Sequence, residues 1–179
     1  MPCAVLVPFR SPVSNVPRSW FAGLAACALL ASTPAAHAAD PKATIADLDA
    51  RLAKMGSVKV NGTDTVGGKA VPALFFGERK INNNYEVVDA IRKAHGATAT
   101  VFVKDGEEFV RISTNVLTPE GKRGIGTTLA RNKAYEALVK GQSYCGPIDV
   151  LGTAFDACYN PLKNATGAVV AVTYVGHKK

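Results

Sequence analysis

Residues 97–115, ATATVFVKDGEEFVRISTN, decide the fold. Two runs rich in β-branched and aromatic residues, 97–104 and 107–115, flank Asp105-Gly106. That dipeptide suits a two-residue hairpin turn, because the glycine accepts the positive φ that twisted antiparallel strands demand. With this pair as the turn, Lys104 faces Glu107 and Phe102 faces Phe109. Alternation then sorts the side chains. Ala99, Val101, Val103, Val110 and Ile112 share one side, an apolar surface that needs a helix over it. Thr98, Thr100, Phe102, Phe109, Arg111 and Ser113 share the other. Rings, hydroxyls and one guanidinium are mixed there in a way that suits either a small polar ligand or a solvated sheet face.

A second hairpin follows downstream. Tyr144–Val150 and Thr153–Tyr159 flank Leu151-Gly152, so Val150 faces Thr153 and Cys145 falls opposite Cys158, at the short Cα separation of a cross-strand disulfide. The same register pairs Tyr144 with Tyr159 and Ile148 with Phe155 on the opposite, aromatic face, which joins Phe102, Phe109 and Arg111 if the two hairpins share a sheet. The alternative for the cysteines is two buried thiols. A metal site is disfavoured, because His95 and His177 are remote and match no common zinc spacing.

The remaining elements surround these hairpins. Ile45, Leu48, Leu52 and Met55 recur at helical spacing over Pro41–Met55, with Pro41 in the first turn and Gly56 beyond the end. Val58–Val60 and Ala70–Phe76 read as short strands in a glycine-rich stretch. Asn82-Asn83-Asn84 offers a cap to a helix over Tyr85–His95, closed by Gly96. Thr127 is expected to cap a helix running to Lys140, and Ala168–Val175 forms a last strand. Helix, strands, helix, hairpin, helix, hairpin, strand describes an α+β domain around an antiparallel sheet.

The N-terminus carries the features of a secretory signal, expected over residues 1–38. Arg10 and Arg18 stand without an acid, Trp20–Ala31 is uninterrupted apolar sequence, and Ala36-His37-Ala38 supplies small residues at the cleavage positions. The apolar run is short of the roughly 20 residues a spanning helix needs. A competing reading takes Leu24-Ala25-Ala26-Cys27 as a lipobox, although too little apolar sequence precedes Cys27 and too much follows it. Losing Arg10 and Arg18 from the 21 basic residues leaves 19 against 14 acidic ones, so the expected mature chain, residues 39–179, is mildly basic. Export to the periplasm places Cys145 and Cys158 where a disulfide is the default.

Several motifs together resemble one family. Asn84-Tyr85-Glu86-Val87-Val88-Asp89 leads into Gly96–Phe102 and Phe109–Asn115. Gly121–Thr127, Gly141-Gln142-Ser143-Tyr144 with Gly146, Tyr159-Asn160-Pro161-Leu162-Lys163 and Val172–Gly176 follow in order. This set resembles the extracytoplasmic Cache sensor domains, in particular the fused single-Cache type 3/type 2 group. The resemblance implies a PAS-like form: a five-stranded antiparallel sheet with a long N-terminal helix on one face and a small-molecule pocket on the other. It also implies carboxylates, amino acids or related metabolites as ligands. Members usually sit between membrane helices of receptors or kinases; this chain, ending at Lys179, is expected to act through such a membrane-bound partner.

The leading functional expectation is a periplasmic protein that binds a small carboxylate or similar metabolite. Arg111 would grip the carboxylate through two parallel hydrogen bonds. Thr100, Ser113, Tyr144 and Tyr159 would add neutral hydrogen bonds, and Phe102, Phe109 and Phe155 would exclude water. The alternative for Arg111 is a structural ion pair with Asp89 or Glu107. No cofactor is implied. An enzyme is disfavoured, since no nucleophile-elbow, Walker or His-Glu-x-x-His motif occurs. A second class is an interaction protein whose basic pairs, Arg79-Lys80, Arg92-Lys93, Lys122-Arg123 and Lys178-Lys179, bind an acidic protein or membrane partner. The compartment disfavours nucleic acid.

Overall fold

A computed structural model describes residues 40–179. The secretory segment expected over residues 1–38, with Cys27, lies outside the described residues. Helix α1 (Pro41–Ala53) starts where Asp40 accepts a hydrogen bond from the Lys42 amide, with proline in the first turn. It buries Ile45, Leu48 and Leu52. Gly56 and Gly77 then bring two backbones into contact. A Cβ on Gly77 would overlap the Met55 carbonyl, so only glycine fits.

Strands β1 (Val58–Val66), β2 (Lys69–Phe76) and β3 (Arg79–Lys80) make a separate three-stranded antiparallel sheet. The three asparagines that follow act individually. Asn82, buried, accepts from the Leu74 amide and donates to the Pro72 carbonyl. Asn83 takes a positive φ of 58° and donates to the Thr65 carbonyl. Asn84 accepts from the Glu86 amide at the start of helix α2 (Glu86–His95), which Gly96 closes in the left-handed conformation.

The main sheet has five antiparallel strands. β4 (Thr98–Asp105), β5 (Glu108–Thr114), β6 (Tyr144–Val150), β7 (Thr153–Lys163) and β8 (Val169–Lys178) lie in the order β5-β4-β8-β7-β6. The domain is α+β as expected, with α1 and α2 on one face. There Ile45, Leu48, Leu52, Val88 and Ile91 pack with Ala99, Val101, Val103 and Val175. The opposite face carries a second core of Phe102, Phe109, Phe155, Tyr159 and Tyr174, covered by Leu129, Ala134 and Leu138 from residues 127–139. Among the described residues, no helix is long and apolar enough to cross a membrane.

Two local expectations are corrected. In the first hairpin Asp105 pairs with Glu108 and Phe102 with Arg111, so the turn is Gly106-Glu107 and Phe102 does not face Phe109. This turn needs a positive φ only at its first central residue, and Gly106 supplies it at 58°; an Asp105-Gly106 turn of the mirror-image type would require it of the aspartate too. Ile112 is then an extra residue, a bulge that puts Ser113 opposite Val101. Thr127 does not begin a helix either. The Arg111 amide donates to the Thr127 carbonyl and the Leu129 amide to the Phe109 carbonyl, so this segment covers the free edge of β5. Helix α3 (Lys133–Val139) starts later, where Asn132 accepts from the Ala134 and Tyr135 amides.

Candidate functional site

The second hairpin holds the register read from its sequence. Val150 pairs with Thr153, Tyr144 with Tyr159 and Ile148 with Phe155, and Cys145 is joined to Cys158. Leu151 and Gly152 both take positive φ, 52° and 81°, as the mirror-image turn requires. Its tip reaches the loop before Thr127, where the Leu151 side chain packs on Gly124. A cavity of about 50 Å³ remains between this tip and the segment covering β5. Arg111 and Tyr159 line it, with Leu129, Asn132, Asp149 and Val150 among the other walls.

Arg111 is only 3% exposed. Its Nη1 donates to Thr127 Oγ1 at 2.7 Å, and its guanidinium lies 5.1 Å from the centre of the Phe102 ring. Its buried Nε has no hydrogen-bond partner. No carboxylate pairs with Arg111 among the described residues; Asp89 is held instead by a bidentate contact with Arg123, at 2.8 and 2.9 Å. Burial pulls the Arg111 pKa below the usual guanidinium value, against the raising effect of Tyr159 and Tyr174. The residue remains a cation at any physiological pH. An unpaired buried cation is costly, and a planar anion against its free edge would relieve that cost.

The other expected site residues divide. Phe102, Phe109 and Phe155 are buried in the surrounding core, Phe102 beneath Arg111 and Phe109 edge-on to Tyr135. Thr100 is buried with its hydroxyl 2.7 Å from that of Thr114, so its hydrogen bonding is met within the sheet. Tyr144 is half-buried and donates to the Pro147 carbonyl. Tyr159 stacks at 4.8 Å on Tyr174; burial raises both phenols, Tyr174 to about 12, so both stay neutral. Ser113 is not on this face: past the bulge its hydroxyl donates to the Asn84 carbonyl beside α2. Aromatic side chains fill much of the expected pocket, and among the described residues a small cavity remains beside Arg111. Sequence reading missed Thr127, Asn132 and Asp149, because a loop contact leaves no periodic signal.

Two histidines and part of the basic pairs have partners within the fold. His95 contacts Asp47 at 2.8 Å, and His177 contacts Thr44 at 3.0 Å. Arg79 pairs with Glu86, Lys80 with Asp64, Arg123 with Asp89 and Lys179 with Asp156, so half of the residues in the four basic pairs are engaged in ion pairs.

The family described as the Cache 3/Cache 2 fusion domain matches residues 39–179, which include every described residue. The chain belongs to that family. Its five-stranded antiparallel sheet, with helices α1 and α2 on one face, is the PAS-like Cache form. Cache domains are sensor domains that bind small molecules and are usually extracytoplasmic. The search of curated proteins found no match.

Proposed function

We propose that this Cache domain is a periplasmic sensor module that binds a small carboxylate at Arg111 and signals through a membrane-bound receptor or kinase. One observation carries the reading: a buried guanidinium without a carboxylate partner, its Nε unsatisfied, beside a cavity. Nη1 is committed to Thr127, so the carboxylate meets the Nε and Nη2 edge of the fork. Phe102 and Phe109 keep water from the back of the cation, which strengthens such a pair relative to a surface one.

Titration calorimetry of a carboxylate panel against wild type and Arg111→Gln tests this. At least one carboxylate should bind, and the variant should weaken it about 10- to 100-fold, the range for a hydrogen bond to a charged group. An unchanged affinity for the best ligand removes Arg111 from the site, and a panel without any binding removes the carboxylate reading.

A further inference from the structure

The cavity at Arg111 is too small for a metabolite of ordinary size. An engineered apolar cavity of about 150 Å³ accommodates benzene, so about 50 Å³ holds only two to four heavy atoms, a carboxylate group with little else. The cavity adjoins a second space. Ala130, Asn132 and Asp149 line it and also line a neighbouring depression of about 560 Å³. That depression is floored by Tyr144, Pro147 and Ile148 on the edge strand β6, a mainly apolar surface. Tyr144 spends its hydroxyl on the Pro147 carbonyl and presents its ring. Lys133 sits at the rim and is exposed to water.

From this adjacency we infer that the ligand is an amphipathic monocarboxylate, its head on Arg111 and its apolar tail passing Asp149 into the depression formed by Tyr144, Pro147 and Ile148. The inference rests on the carboxylate reading of Arg111. Asp149 stands where the two spaces meet, with only Oδ1 committed, accepting from the Gly152 amide. Its charge acts on both spaces: at the head Arg111 offsets it, whereas a second carboxylate close behind the first meets it without that cation, so short dicarboxylates are disfavoured relative to an uncharged chain. The division also assigns separate roles: Arg111 supplies the charge recognition, and the β6 surface sets the preferred chain length.

Calorimetry with acetate, butyrate, hexanoate and phenylacetate, beside succinate and adipate, tests it on the purified chain. Each methylene entering the depression should tighten binding about two- to fourfold, so hexanoate should exceed acetate more than tenfold. Ile148→Asn should lower hexanoate towards the affinity of acetate. A flat series, or a dicarboxylate that outbinds every monocarboxylate, overturns the tail subsite while leaving the head at Arg111 standing. Failure of every acid to bind overturns both readings. The wild-type series decides the question even if Ile148→Asn does not fold.

Discussion

Arg111 is held in place by weak contacts for a buried charge: one threonine hydroxyl and the face of Phe102. A cation over a ring contributes roughly 0.5–2 kcal/mol, less than the several kcal/mol of removing an ion from water. The ligand-free domain is therefore less stable than it could be. Arg111→Met keeps much of the side-chain volume and removes the charge, and should leave the unliganded protein equally stable or more stable by up to about 3 kcal/mol in urea unfolding. A loss above about 1 kcal/mol would make Arg111 a structural strut. With ligand at 100 times the wild-type dissociation constant the balance should shift towards wild type by about 1–2 kcal/mol, since wild type gains about 2.7 kcal/mol and a variant binding 10- to 100-fold more weakly gains only about 0.4–1.4 kcal/mol.

Helix α1 is tied to the sheet through a half-buried acid, in addition to the Thr44–His177 contact. Asp49 accepts from Asn160 on β7 and Thr173 on β8, both at 2.7 Å, and no cation pairs with it among the described residues. Burial raises its pKa, outweighing the two hydrogen bonds that lower it. The folded chain then keeps a proton that the unfolded chain has released, over the window from the ordinary carboxylate pKa up to the raised value. Through that window this group makes stability fall as pH rises. Asp47, two residues earlier, runs the other way. Arg51 first, and then His95, hold its carboxyl below the ordinary range, so its contribution is present above the unfolded pKa and lost as pH falls. Salt screens the charged partners that lower Asp47, whereas the rise at Asp49 comes first from desolvation, which salt does not screen. In about 0.5 M salt, Asp49→Asn should gain on wild type as pH rises from about 4 to 7, measured by urea unfolding. A difference that stays constant with pH would mean that Asp49 titrates alike in both states.

At the scale of the whole domain, one sheet separates two cores, and the β6–β7 hairpin belongs to both. Cys158 is buried on the helix side, while Val150, Phe155 and Tyr159 enter the core around the cavity. The disulfide spans a sequence separation of 13, for which chain entropy gives somewhat under 3 kcal/mol. Cys145→Ser with Cys158→Ser should lower stability by about 2–3 kcal/mol and leave the fold intact, because the turn and both cores remain. Ligand affinity should also weaken, since Val150, Leu151 and Tyr159 wall the cavity and lose rigidity. Intact mass with and without reductant checks the bond. Equal affinities in the double variant would leave it only a staple.

Local patterns in the sequence determined the helix faces, the alternation of the strands and the disulfide. The Cys145–Cys158 register was legible because nothing interrupts either strand and Leu151-Gly152 fixes the turn. The first hairpin was legible in kind but not in register, since its turn uses Gly106-Glu107 and its bulge at Ile112 sends Ser113 to the helix side. Periodicity cannot reveal a bulge, whose advantage lies in what the displaced side chain meets. Thr127 was read as a cap because its local chemistry permits one; the unpaired edge of β5, distant from it in neither space nor need, claimed its carbonyl instead. The candidate site was legible as a face and as one arginine. Tertiary structure alone decided that Arg123 takes Asp89, that Arg111 is left buried without a counterion among the described residues, and that the aromatic rings leave only a small cavity beside it. Those outcomes depend on competition among side chains from separate elements and on the volume left after packing, and neither quantity is carried by neighbouring residues along the chain.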